Sequence, residues 1–235
     1  MQLASLKALN AARQQRRAAV HVTDLASGEG WVIGEGETMN GALGEAVATA
    51  FRSGVARAVD VDGRRLFINP HLPQVMIVVI GAVHISQVLA EMAALSGFRV
   101  RIIDPRTAFA TPERFAGVDL MADWPVDVLA GHPLDRYSAL VAVTHDPKID
   151  DDPIATALKV GCFYVGALGS RRTHAARLER LEREGLSKRE LARIHAPIGL
   201  DIGAASPAEI AVAILAEIIN ALRRPECSLS MEHLP

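Results

Sequence analysis

The sequence predicts an α/β protein in two parts: a doubly wound parallel sheet over residues 74–224, preceded by a smaller N-terminal α+β domain over residues 1–70. Three observations carry this. Beyond residue 74, short runs that are apolar at every position alternate with helical stretches, as expected of strands covered on both faces by crossover helices. Before residue 70, the pair Asp62-Gly63 separates two strand-like runs and gives a hairpin signal. Between the parts, Pro70 and Pro73 stand so close together that neither a helix nor an interior strand is expected to continue through them.

Taken in order, the N-terminal part reads as a helix over residues 3–17, strands over 18–25 and 30–33, a Gly-rich turn at 34–36 and a helix over 42–53. The hairpin strands follow at 55–61 and 64–69. The second part reads as a strand at 74–80, a helix at 85–96 ended by Gly97, and a strand at 98–104. Further strands are expected at 139–144 and 162–166, and helices at 153–160, 171–184, 188–194 and 207–222. Residues 225–235 show no periodicity and are expected to form a flexible tail.

Composition narrows the function. The 235 residues carry 25 Lys+Arg against 27 Asp+Glu, a formal net charge of −2. No chain-wide basic field is therefore available to drive nucleic-acid binding. The longest apolar runs are too short, or too interrupted by Glu, for the ~20 residues a bilayer span needs, so no membrane partner is expected. Asp24 interrupts the first apolar stretch before it could act as a signal peptide. Two cysteines, Cys162 and Cys227, are too few for a thiolate zinc cage and suggest a reducing, cytoplasmic setting.

Four stretches carry candidate chemistry. Gly81-Ala82-Val83-His84-Ile85-Ser86 follows a strand and opens a helix, with Asp104 at the end of the next strand. This is the layout of a dinucleotide fingerprint, but Val83 and Ser86 stand where that fingerprint has its second and third glycines. Either the stretch is a plain βαβ turn or it serves a different ligand through the helix N-terminus. Asp104 is a candidate acceptor for the hydroxyls of a ribose or similar polyol; next to Pro105 and Arg106 the alternatives are that it caps a turn or forms an ion pair. Thr144-His145-Asp146 follows another apolar strand, where polar residues would line a ligand crevice; the alternative is a turn at Asp146-Pro147 followed by a helix cap within 150–152.

Gly166-Ala167-Leu168-Gly169-Ser170-Arg171-Arg172 joins glycines, a capping serine and two arginines at a helix start, a combination suited to an anion. Its alternative is an exposed helix start with solvated arginines. Gly199-Leu200-Asp201-Ile202-Gly203 leads into a helix capped by Ser206, with Pro207 at its first position and Glu209 completing a capping box. No catalytic constellation is evident, and Cys162 reads as a small core residue.

Together, in this order and context over residues 74–222, these stretches resemble the xanthine dehydrogenase accessory protein family (XdhC/CoxI). The match rests on 81–86, Ile103-Asp104-Pro105-Arg106, 144–146, 166–172 and 198–203. The resemblance implies a C-terminal Rossmann-like domain, commonly in a homodimer. It also implies binding of the molybdenum cofactor (molybdopterin), its protection during sulfuration with a cysteine desulfurase, and its delivery to a molybdenum hydroxylase apoenzyme of the xanthine dehydrogenase kind. The protein would then be a maturation chaperone and not a catalyst. Its cofactor-binding residues would be Gly81, His84, Asp104, Arg106, Thr144, His145, Asp146, Gly166, Gly169, Ser170, Arg171, Arg172, Asp201 and Gly203. The alternatives are an NAD(P)-binding oxidoreductase and a nucleotide-sensing module. The family's Gly-Cys-x-Glu-like motif reads here as Asn40-Gly41-Ala42-Leu43-Gly44-Glu45, which places Leu43 at the cysteine position.

Overall fold

A computed structural model describes residues 2–224. The predicted tail at 225–235, with Cys227, lies outside the described residues. The chain divides into two compact units, the first ending at Pro73 and the second beginning at Gln74.

The first unit comprises α1 (Leu3–Gln14), β1 (Ala19–Asp24), β2 (Gly30–Gly34), α2 (Gly41–Ser53), β3 (Arg57–Val61) and β4 (Arg64–His71). Its antiparallel sheet has the order β2-β1-β4-β3. Asp62 and Gly63 both take positive φ, 49° and 74°, the paired left-handed geometry whose twist suits a two-residue hairpin. Val20 and Val22 alternate with polar neighbours along β1. They join Leu66, Ile68, Ala46, Val47 and Ala50 in one buried cluster, so α2 covers that face. Leu43 packs against the same cluster.

One expectation fails here. β4 continues through Pro70, which pairs with Val20, although β4 is an interior strand. The pairing of β3 with β4 ends at Arg57 and Ile68. Pro70 thus has a ladder neighbour on one side only, and its missing N–H disrupts no second ladder.

The second unit comprises β5 (Met76–Ile80), α3 (His84–Leu95), β6 (Arg99–Ile103), β7 (Asp119–Met121), α4 (Pro125–Gly131), β8 (Ser138–Ala142), α5 (Pro147–Val160), β9 (Tyr164–Ala167), α6 (Arg171–Arg183), α7 (Lys188–Leu191), β10 (Ile194–His195) and α8 (Pro207–Arg223). The sheet is parallel throughout, in the order β10-β9-β8-β5-β6-β7. Alternate residues of β5 face opposite cores: Ile77 and Val79 join the cluster of α3 and α8, while Val78 and Ile80 join that of α5. Continuous apolarity is what two covered faces require. The chain winds from β5 outward through β6 and β7, then returns to build β8, β9 and β10 on the other side. The strand order therefore reverses between β5 and β8, and the crevice opens at their carboxyl ends.

Short elements escaped the sequence reading. β7, α4 and β10 were not expected, and the helix predicted over 188–194 stops at Leu191, leaving Ile194 and His195 as a strand beside β9. α5 begins at Pro147 and not at 153. Asp146 caps it by accepting the Lys148 N–H at 3.0 Å, Pro147 takes the first helical position, and Pro153 lies inside the helix.

Candidate functional site

Two loops meet at the switch point. Gly81 ends β5 with φ 120°, and a Cβ there would stand 2.9 Å from the Thr144 methyl and 3.2 Å from Val143, so the close approach of the two loops requires glycine. Ser86 is fully buried and its hydroxyl donates to the Gly81 carbonyl at 2.5 Å, occupying the space that the fingerprint's third glycine would leave open. The Ala82 N–H, one of the loop's amides, donates to Asp104 at 2.7 Å.

Asp104 is the hub of this side. Its carboxylate is fully buried. It accepts the Ala82 N–H, the Arg106 N–H at 2.9 Å, and a forked pair from Arg106 Nε and Nη2 at 2.9 and 2.7 Å. Burial pushes its carboxyl up, but the bonds from Arg106 and Ala82 outweigh that and hold it below the usual carboxylate range. Of the sequence readings, two are observed together: Asp104 caps the turn by accepting the Arg106 N–H, and it forms the ion pair with the Arg106 guanidinium. Asp104 thereby positions Arg106, whose guanidinium lies 4.8 Å from the Phe109 ring centre and feels the carboxylates of Asp150 and Asp146. Arg114, which the sequence reading passed over, donates to the carbonyls of Ala82 (3.1 Å) and Phe109 (2.8 Å) and braces the same loop.

On the β8 side, Thr144 is buried and its hydroxyl donates to Asp150 Oδ1 at 2.7 Å. Asp150 Oδ2 accepts the His145 N–H at 3.1 Å. His145 takes a left-handed φ of 66° and is exposed. Asp150 is almost fully buried. Desolvation pushes its carboxyl up to about 6, against the pull of Thr144 and Arg177. Sequence reading treated Asp150 only as part of a helix cap; its burial follows from α5 starting at Pro147, which carries Asp150 into the first turn of the helix. His84 is exposed at the start of α3.

The third stretch starts α6. Ser170 caps it, with its Oγ accepting the Thr173 N–H at 3.2 Å, as the sequence indicated. A Cβ at Gly169 (φ 142°) would press on Thr173 at 3.2 Å. Arg171 and Arg172 are exposed and have no hydrogen-bond or ion-pair partner among the described residues. Behind them, Arg177 is only 2% exposed. Its Nη2 donates to the Leu168 carbonyl at 3.1 Å, its Nε lies 3.9 Å from Asp151, and its Nε and Nη1 have no hydrogen-bond partner. The signal for Arg177 was its i,i+4 spacing to Leu181 on the buried face of the helix. Gly166, by contrast, is buried: a Cβ there would meet Tyr164 Oη at 2.5 Å and Ile198 at 2.6 Å, so this glycine serves packing of the sheet face. Asp201 and Gly203 lie exposed in the loop before α8.

Cys162 is buried, and its thiol is pushed up to about 12, mainly by desolvation, which makes it inert. Among the described residues no three His, Cys, Asp or Glu side chains are grouped as a metal ion would require, and no helix is long and apolar enough to cross a membrane.

This chain is similar to several known proteins. A protein of Escherichia coli called YqeB, itself uncharacterized, is 31% identical over 168 residues, 71% of this chain and 31% of that protein. A Bacillus subtilis protein named as a probable xanthine dehydrogenase subunit is 34% identical over 161 residues, 68% of this chain and 46% of its own length. The molybdenum cofactor insertion chaperone PaoD of Escherichia coli is 29% identical over 148 residues, 63% of this chain and 40% of that one. The chain thus spans less than half the length of each of these relatives. A crystal structure described as a xanthine dehydrogenase from Bacillus halodurans shares the fold, with a TM-score of 0.65 and 21% identity over 96% of this chain and 66% of the other. The family model for the XdhC Rossmann domain matches residues 77–218, which hold every element from β5 to most of α8, and the chain therefore belongs to the XdhC family.

Proposed function

We propose that this protein is a maturation chaperone that binds the molybdenum cofactor as cargo in the crevice of its second unit and delivers it to a molybdenum hydroxylase of the xanthine dehydrogenase kind. The observation that carries the reading is the pair Arg171 and Arg172, two exposed and unpartnered cations at the capped start of α6, on the carboxyl edge of the sheet. First-turn amides lack helical partners and the helix dipole adds positive potential, so this end suits the phosphate of a phosphorylated pterin. Arg106, His84, His145 and Asp146 supply donors and acceptors for its polar ring at the switch point. The names of two relatives support the same role.

The donor set fits the organic part of the cofactor. Among the described residues it offers no cysteine thiolate to the molybdenum: Leu43 occupies the position where the family resemblance expects cysteine, and Cys162 is buried with its thiol held protonated. We infer that the protein grips the cargo by phosphate and ring and leaves the metal to its partners. A dinucleotide is the weaker reading, because Asp104 is sealed by four hydrogen bonds and the Ala82 amide is taken.

Anaerobic titration with molybdenum cofactor, read as molybdenum and oxidised-pterin fluorescence retained after gel filtration, tests this, with NAD as the parallel ligand. Stoichiometric retention is expected for the wild type. Arg171→Ala with Arg172→Ala should weaken it by about 2 kcal/mol or more, the loss of one or two charge-assisted hydrogen bonds, without moving the melting temperature. Retention of NAD in place of the cofactor would reject the proposal.

A further inference from the structure

The strand order sets three loops side by side at the switch point: those leaving β6, β5 and β8, with the β5 loop in the middle. The middle loop begins with Gly81 and Ala82, both buried and small. Arg106 stands on one flank and Asp146 on the other, each half-buried. Strands two apart in a sheet are separated by about 10 Å, room for a planar ring between their loops. The Asp146 carboxylate acts on the Arg106 guanidinium, yet among the described residues no ion pair closes between them.

Both groups are held where they stand. Asp104 grips Arg106 Nε and Nη2 at 2.9 and 2.7 Å, and the Phe109 ring centre lies 4.8 Å from the guanidinium carbon. Nη1 is left with its two N–H groups unpartnered among the described residues. On the opposite flank Asp146 is fixed as the cap of α5: its Oδ1 accepts the Lys148 N–H at 3.0 Å, and Pro147 sets the φ of the next residue. Its Oδ2 has no partner among the described residues, and Oδ1 keeps a second lone pair. A free arginine and aspartate would swing together; these two are prevented from doing so, which leaves a preorganised donor opposite a preorganised acceptor. Neither the Asp104 brace nor the α5 cap uses Nη1 or Oδ2. Asp150 also acts on Arg106, but it is 1% exposed and both its oxygens are taken, by Thr144 and the His145 N–H.

We infer that Arg106 and Asp146 together read the 2-amino-4-oxopyrimidine edge of the ligand, the edge that a pterin shares with guanine. Along it an acceptor is followed by two donors: the 4-oxo oxygen, the ring N3–H and the 2-amino group. Arg106 Nη1 donates to the oxygen, and the Asp146 carboxylate accepts from N3–H and the amino group. Asp104 is the positioning residue. The inference rests on the reading of the crevice as a pterin site and adds which atoms of the ring are recognised.

Fluorescence titration of the full chain with pterin, lumazine and neutral 2,4-diaminopteridine tests it, with the melting temperature checking each variant. Lumazine carries oxygen in place of the 2-amino group, so wild type should bind pterin about ten- to a hundredfold more tightly, the worth of one charge-assisted hydrogen bond. The diamino ring turns a donor on Arg106 and should bind about tenfold or more weakly than pterin. Asp146→Asn keeps an N-cap of equal rank but offers a donor to the 2-position, so it should reverse the preference toward lumazine, which loss of a mere cap would not do. An unchanged preference for pterin in Asp146→Asn, or equal binding of the three rings by the wild type, overturns the inference and spares the proposed function. Guanosine monophosphate against inosine monophosphate, which lacks the amino group, separates the two sources of the edge. Selective binding of the guanosine nucleotide without pterin binding keeps the edge recognition and rejects the pterin cargo. Binding of no ring overturns both.

Discussion

Asp150 and Asp104 are both buried carboxylates, and their environments drive them in opposite directions. Around Asp150 desolvation wins, so its folded carboxyl titrates at about 6 where the unfolded chain titrates at 3.8. The folded protein keeps a proton that the unfolded chain has released, so this group favours folding below about pH 4 and that contribution is lost as pH rises to about 6. Across that window Asp150→Asn should therefore gain about 3 kcal/mol relative to wild type. Urea unfolding at pH 4 to 7, followed by Trp124 in a Trp31→Phe background, measures it; parallel curves for the two proteins would contradict the assignment. Around Asp104 the ion pair wins. Asp104→Ala leaves the Ala82 amide and Arg106 without their acceptor and should lower stability by about 3 kcal/mol at neutral pH, seen in the same unfolding assay.

At the scale of elements, helix starts were the most legible feature. Ser170 and the Ser206/Glu209 capping box sit where the sequence placed them, because capping needs only three or four adjacent residues. The start of α5 was misplaced because Pro153 suggested a boundary, whereas Ile149, Ile154, Ala157 and Leu158 bury the helix on both sides of it. β7 and β10 were illegible for another reason: two or three residues carry no period, and only a neighbouring strand makes them strands. Loop contact across the switch point can be probed at Gly81. Gly81→Ala combines a φ of 120° with a Cβ at 2.9 Å from Thr144 and should cost about 2–4 kcal/mol, with loss of cofactor retention. Val83→Gly adds no clash and should leave retention in place; a loss there would show that the Val83 side chain is part of the site.

For the whole molecule, the two units carry separate buried clusters, one within residues up to Pro73 and two beyond it. We therefore expect residues 74–235 to fold alone with a single cooperative transition in urea and to retain the cofactor as the full chain does; failure of the fragment to fold would mean that the first unit contributes to its stability. By itself the sequence determined the class of fold and its order of elements, since apolar runs, caps and turns are local patterns. It also located the loops at the switch point and the capped start of α6. Only the tertiary structure decided what each polar residue does there. Asp104 became an internal brace, Gly166 a packing residue, and Asp150 a protonation site, because burial and partners come from chain segments far apart. Glu217 interrupts the apolar run of α8, and the fold brings Tyr164 of β9 and His195 of β10 against it. Spacing along a chain records which faces are covered, and charge is tuned by what covers them.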